Sequence, residues 1–376
     1  MRGNGGRIGP KHTPTTGSAS GVWSLAEAGD NQRQSLWPPL VGALYTFTTA
    51  TFTPGTATGR TGPDLTTART GLTGTGVDAW KNNTSYFNMT TQGIQIWTVP
   101  ENGTYRFDVA GASGGWDTSR NKDCSRIGLG GRYQFDIVLS QGSQIQIVVG
   151  QSGGNTSSSS YLGGGGGGGT FVFTGSRGGG GLIVAAGGGG GAGSTGSYTP
   201  ANGGGPAAGV NGNFAGTSGS AGLCDASFDG NPGPGGTSGA GGQSGASGWA
   251  STENTGGGAG WVSDGQPNPE ISTPVSVVRG TGFIGGSLSS SNVGAVGGFG
   301  GGGATSFTGG SFAGGGGGGG YSGGGGAGWN ANAGACVANS SGSGGGGGGF
   351  AIATAINPTS TSGFREGHGY VSVTKL

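Results

Sequence analysis

The chain has 376 residues, of which 103 are glycine and only 8% are charged, and its formal net charge is +1. No basic stripe is present, which argues against a nucleic-acid partner. No apolar stretch approaches the ~18 residues of a membrane-spanning helix, and the length fits one large domain or two.

Residues 1–41 form a distinct opening. Gly6-Arg7-Ile8-Gly9-Pro10 and Thr13-Pro14-Thr15-Thr16 lead into Gly21-Val22-Trp23-Ser24-Leu25-Ala26-Glu27. Ser24 with Glu27 has the capping-box spacing of a short helix, which Trp37-Pro38-Pro39 would end. Nothing here is large enough for a core. Trp23, Leu25, Trp37 and Pro38 are therefore expected to dock on a partner, because exposed tryptophans are costly and are common interface anchors; a flexible tail is the alternative. The N-terminus lacks the apolar stretch of a secretion signal, so the chain is expected to be made and kept in a cytosol, or to leave it by another route.

From residue 42 the pattern becomes β. Leu44–Thr48, Ile94–Val99 and Tyr105–Val109 alternate, and Pro100-Glu101-Asn102-Gly103 predicts a hairpin between the last two. Tyr133, Phe135, Ile137 and Leu139 share one strand face, and Gln141-Gly142-Ser143 predicts a second hairpin to Gln144–Val149. Ala351–Ile356 and Gly369–Lys375 are further strands. No segment carries a sustained helical stripe. The expected fold class is all-β: a β-sandwich over 42–160, completed by strands from 351–376.

Residues 161–350 hold 74 of the 103 glycines. Gly163–Gly169, Gly187–Gly191, Gly314–Gly320 and Gly344–Gly349 are unbroken runs, each beside a short apolar word such as Thr170–Phe173 or Leu182–Ala186. A disordered linker is the bland alternative. Against it, the segment is nearly uncharged, holds many aromatics, and repeats strand-like words between runs of matched length. Seven residues in an extended threefold helix rise about 22 Å. Rods without Cβ atoms can pair backbone to backbone on three faces, which satisfies groups that must not be buried unpaired. A polyglycine-II bundle over 161–350 is therefore expected, with Gly166, Gly189, Gly317 and Gly346 in its core. The register breaks at Ser194–Asn202, Leu223–Pro234, Trp261–Arg279 and Trp329–Ser341, which places Tyr198, Phe228, Trp261 and Trp329 in candidate receptor-contact loops. Each of these aromatics could instead shield the bundle or fill a gap beside the sandwich.

Enzyme chemistry is not expected. His12 and His368 are the only histidines, and His368 reads as a turn residue. No Gly-Lys-Ser/Thr follows a glycine run, and no GxGxxG string opens a helix as a nucleotide loop requires. Asp225 and Asp229 flank Phe228 without further oxygen ligands, a weak basis for calcium. Cys124, Cys224 and Cys336 fit neither a zinc site nor a CxxC pair; free thiols, or one disulfide with a leftover thiol, are both open. No catalytic residue, metal or cofactor is expected.

Gly93–Pro100, Gly103-Thr104-Tyr105, Ala110–Gly115, Ile147–Gln151, Gly163–Phe173, Leu182–Gly190, Gly315–Tyr321 and Glu366–Gly369 resemble, in order, the glycine-rich ectodomain of the anaplastic lymphoma kinase and leukocyte tyrosine kinase receptors. The resemblance runs from about residue 45 to 376. It implies a tumour-necrosis-factor-like (jelly-roll) sandwich carrying an inserted polyglycine-II bundle. It does not imply the receptor's signalling, since the chain holds no kinase and few of that family's cysteines. The opening segment, through Gly6–Pro10, Thr13–Thr16, Ala19–Leu25 and Trp37-Pro38, resembles the start of tail and other virion proteins of marine bacteriophages, cyanophages among them. Glycine-rich bundles also occur in tail-tip adhesins of T-even-like phages, whose end loops touch the host receptor.

Together these resemblances imply a non-enzymatic virion protein, first a tail fibre or tail-associated adhesin for host attachment. The implied partners are other virion proteins through residues 1–40 and a bacterial surface receptor, protein or glycan, with no membrane insertion. A homotrimer is the expected assembly. A capsid or neck decoration protein, and a secreted cytokine-like or receptor-like module, are the alternatives.

Overall fold

The structure, a computed structural model, describes residues 42–116, 118, 127–156, 163–193, 232–247, 250–267, 279–288, 293–307, 314–328 and 342–376. Ala43–Leu376 form one compact unit. In chain order its elements are β1 (Thr49–Phe52), α1 (Leu65–Gly71), β2 (Phe87–Thr91), β3 (Ile94–Thr98), β4 (Gly103–Ala110), β5 (Gly130–Leu139), β6 (Gln144–Val148), β7 (Thr170–Phe173), β8 (Leu182–Ala186), β9 (Gly245–Ser247), β10 (Ala250–Thr255), β11 (Val293–Ala295), β12 (Thr305–Phe307), β13 (Phe350–Ala351), β14 (Ile356–Arg365) and β15 (Tyr370–Lys375). The chain is therefore mostly antiparallel β-sheet, as the alternating patterns predict.

Two sheets pack face to face. One has the order β1-β15-β4-β5-β14 and the other β13-β8-β7-β6-β3-β2. Between them lie Tyr105, Phe107, Val109, Phe135, Val371 and Val373 from the first, and Phe87, Trp97, Ile145, Ile147, Val172 and Val184 from the second. Tyr133, Phe135, Ile137 and Leu139 all face this core, as expected from their spacing. The short helix α1 begins at Asp64, whose side chain accepts the Thr67 amide at 2.7 Å. That cap supplies one partner for the orphan amides of a first turn.

Both predicted hairpins are corrected. β3 pairs with β2 and β6, whereas β4 pairs with β15 and β5. The Pro100–Gly103 turn thus carries the chain from one sheet to the other. The Tyr105 hydroxyl donates back to the Glu101 carbonyl at 2.8 Å and braces that corner. Gln141–Ser143 likewise connects β5 and β6, which lie in different sheets. Alternation fixes which residues face a core, but the core can be reached from either sheet. Leu44–Thr48 precedes β1 without being a strand, although Tyr45 and Phe47 are still buried.

The six-stranded sheet is covered on its outer face too. Val148, Phe171, Phe173 and Leu182 pack there against Trp261 and Phe299, with Ile94, Phe283, Tyr321 and Phe350 at the margin. This explains an inversion in β3: Gln95 is fully buried in the inner layer while Ile94 faces the outer cluster. The Gln95 amide donates to the Thr53 carbonyl at 3.3 Å, which offsets part of the cost of burying it.

Several strands run on directly into glycine segments. β4 continues through 111–115, β6 through 149–154 and β8 through 187–193, while 163–169 feeds β7 and 342–349 feeds β13. In these segments the pairing changes period. The amides of Gly315, Gly318 and Tyr321 donate to the carbonyls of Gly342, Gly345 and Gly348; those of Gly316 and Gly319 donate to Gly164 and Gly167; those of Gly317 and Gly320 donate to Gly256 and Ala259, all at 2.6–3.2 Å. The carbonyls of Gly315 and Gly318 accept from Ala327 and Gly324, those of Gly316 and Gly319 from Gly191 and Gly188, and that of Gly317 from Gly303. One segment is thus bonded to six neighbours, and every third residue returns to the same one. A β-strand has period two and pairs within one sheet; this array pairs in three dimensions.

The array also extends beyond 161–350. Ala112 and Gly115 donate to Gly168 and Gly165, Gly128 donates to Gly190, and Gln151 and Gly154 donate to Phe299 and Val296. Residues of the expected sandwich segment are therefore structural members of the glycine array.

Candidate functional site

The most informative site is the end of the array furthest from the two facing sheets. Gly163–Gly169 enters β7 at its C-terminal side, so Gly163 marks the far end. Gly314–Gly320 runs parallel to it, and 187–193 runs antiparallel, by the bonds given above. Following these directions through the array puts one set of described ends together: 116 and 127, 156 and 163, 193 and 232, 267 and 279, 307 and 314, 328 and 342. The small third sheet, ordered β11-β12-β10-β9, lies at this same end. The turns at the opposite end, around 174–181, 237–240, 260–264 and 320–323, are short and lie beside the facing sheets.

Gly166, Gly189, Gly317 and Gly346 are all buried in the array. Cβ atoms added to Gly166, Gly189 and Gly317 would run into the carbonyls of Gly317, Gly128 and Gly324 respectively. Gly346 lies between Gly345 and Gly347, whose amides donate to Gly325 and Gly188. At Gly166, Gly189 and Gly317 the backbone approaches its neighbours too closely for any side chain.

Of the four aromatics expected in contact loops, Tyr198, Phe228 and Trp329 lie outside the described residues, in connections 194–231 and 329–341 that leave from the far end. Trp261 is corrected. It is 3% exposed, at the opposite end, with its ring 5.1 Å from Phe173, 6.0 Å from Phe171 and 6.3 Å from Phe283. Its indole N–H donates to the Gly179 carbonyl at 3.1 Å. Arg177 fastens the same turn, donating to Asp264 at 2.9 Å and to the Gly260 carbonyl at 2.7 Å. Trp261 thus packs the array against the sheet. The signal that could have shown this is Phe171-Val172-Phe173, whose phenylalanines needed an aromatic cover.

The docking residues Trp23, Leu25, Trp37 and Pro38 lie outside the described residues, as do Cys124, Cys224 and Cys336. Among the described residues no group of three His, Cys, Asp or Glu side chains is gathered. No helix among them is long and apolar enough to cross a membrane.

His368 occupies the β14–β15 turn. Its Nδ1 accepts the Ser152 amide at 3.0 Å and lies 3.2 Å from the Ser152 hydroxyl. The Nδ1 lone pair is therefore engaged in a structural bond, and the ring proton is assigned to Nε2 from that geometry. Burial, reinforced by the positive charge of Arg365, holds the His368 pKa below its ordinary value. The unfolded chain then binds a proton that the folded chain resists. Stability should be fully present above the ordinary histidine range near pH 6.5, and fall as pH drops toward the lowered folded value. Denaturant midpoints between about pH 8 and about pH 5 should show this slope, and His368→Asn should flatten it.

Comparison with protein-family models gives no match to this chain, and comparison with curated proteins gives none either.

Proposed function

We propose that the chain is a non-enzymatic structural protein of a bacteriophage virion: a tail fibre or tail-associated adhesin that binds a host surface receptor, protein or glycan. In this reading the facing sheets are a tumour-necrosis-factor-like jelly roll, and the glycine array is a polyglycine-II bundle. Three residues per turn and no internal hydrogen bonds define that helix, and the return to one neighbour at every third residue supports it. Residues 1–41 hold the chain to other virion proteins through Trp23, Leu25, Trp37 and Pro38. Three copies assemble in the host cytoplasm, and no cofactor takes part.

The observation that carries this reading is the one-sided placement of the connections. Those holding Tyr198, Phe228 and Trp329 all leave from the far end of a backbone-bonded support. Loops on a rigid scaffold are the usual place for recognition. The array positions them without spending side chains.

Replacing 194–231 and 329–341 with short Gly-Ser connections should leave thermal stability near that of the parent. It should lower adsorption of particles to host cells at least about tenfold, the scale of one or two lost anchors at ~1.4–2 kcal/mol each. Adsorption at the parental rate, with the altered protein present in the particles, would rule out the adhesin and favour a decoration role.

A further inference from the structure

The end of the sandwich opposite the loops carries its own apolar surface. Val138 is 65% exposed, Leu376 56%, Ile356 43% and Leu44 38%. They are brought together by strand register. Thr104 of β4 lies opposite Val138 of β5, and the Leu376 amide donates to the Thr104 carbonyl at 3.0 Å. Leu376, Thr104 and Val138 therefore form one cross-strand row at the base of the outer face. Ile356, opposite Asp136, belongs to the next row. Leu44 reaches the same end, because its amide donates to the Pro100 carbonyl in the β3–β4 corner at 2.9 Å.

Two features single this surface out from scattered exposed leucines, which need no explanation. The side-chain charges beside it are paired with each other. Arg106 grips Asp136 through two bonds of 2.7 and 2.9 Å, and Lys375 is paired with Glu101. Covering the row thus leaves neither side-chain pair broken, the usual cost of burying such a rim. The chain also enters the unit here: 41 residues precede Gly42, and Leu44 lies at this same end. Whatever partner holds that segment is brought within reach of the base by covalent connection.

We infer that the base row Leu376–Thr104–Val138, with Ile356 and Leu44, is a docking surface for the same particle protein that receives residues 1–41. The partner offers an apolar surface. The array then points its loop-bearing end away from the particle. This rests on the virion reading above. It goes beyond that reading by giving the sandwich itself part of the anchor.

The test uses the full chain in particles assembled in infected cells, with copy number per purified particle as the readout. Val138→Asp/Leu376→Asp changes two exposed side chains and should leave the melting temperature near the parent. Copy number should fall at least about tenfold, which corresponds to ~1.4 kcal/mol of lost docking energy. Val262→Asp, a residue 58% exposed at a turn beside Trp261, should leave incorporation unchanged. Incorporation of the double variant within twofold of the parent overturns the inference while leaving the virion reading intact. Absence of the parent chain from particles removes the virion reading and this partner with it. A parent that self-associates in sedimentation, with a monomeric double variant, would make the base a contact between copies and overturn the partner named here.

Discussion

Gly317→Val should destabilise the Ala43–Leu376 unit by about 3 kcal/mol or more, the sum of overpacking and at least one broken buried hydrogen bond. The Gly317 amide donates to the Gly256 carbonyl, and its own carbonyl accepts from Gly303. An ideally placed Cβ would stand 2.1 Å from the Gly324 oxygen and 2.9 Å from that of Gly325. Neither neighbour can yield, because each is backbone fixed by its own bonds. Against a total stability of ~5–15 kcal/mol, such a loss is large. Gly180→Val supplies the control: Gly180 is exposed, and nothing lies within 4 Å of its Cβ direction. It should cost no more than about 0.5 kcal/mol. Amides of Gly315–Gly320 should exchange slowly in the parent and rapidly in Gly317→Val. Rapid exchange in the parent would mean that the array is not a cooperative unit.

The array was the most legible part of the sequence, because runs of glycine beside apolar words leave few packed alternatives. Its full extent was less so. Ala112–Gly115 and Gly150–Gly154 are short and sit inside a strand-rich region, yet they bond to Gly165, Gly168, Val296 and Phe299. Membership there depends on direction in space, which no local pattern encodes. β14 was illegible for another reason. Ile356–Arg365 is exposed along nearly its whole length and contains Pro358 and Gly363, so it shows no two-residue period. The left-handed conformations of Asn357 and Gly363 break its register with β5. Such irregularities also protect a free sheet edge from further pairing. α1 escaped notice because Leu65–Gly71 is threonine-rich, and only Asp64 marks its start.

The candidate site divided along the same line. Connections outside the glycine register could be read directly, and the fold gathers the described ends of 194–231 and 329–341 at one place. Trp261 could not be assigned by proximity to such a break. Its partners Phe171 and Phe173 come from β7, and Phe283 comes from a separate turn. A tryptophan beside glycine looks exposed in a sequence; whether it is so depends on what the turn is folded against.

Trp261→Ala separates these two roles. A contact residue would lose binding and leave stability unchanged. A packing residue should do the reverse, with a loss of about 3–5 kcal/mol for removing a buried tryptophan. The ring touches Phe173 edge-on and lies stacked near Phe171, and its N–H satisfies the Gly179 carbonyl. Its removal leaves that carbonyl without this donor and opens a cavity between the array and the six-stranded sheet. The expected result is a lower melting temperature, faster amide exchange at Phe171–Phe173 and, on the adhesin proposal, host-cell binding per folded molecule equal to the parent at a temperature where both are folded. Trp261→Phe should recover the packing but not the hydrogen bond, and so fall between the two. Unchanged stability in Trp261→Ala, with binding lost, would return Trp261 to the contact surface.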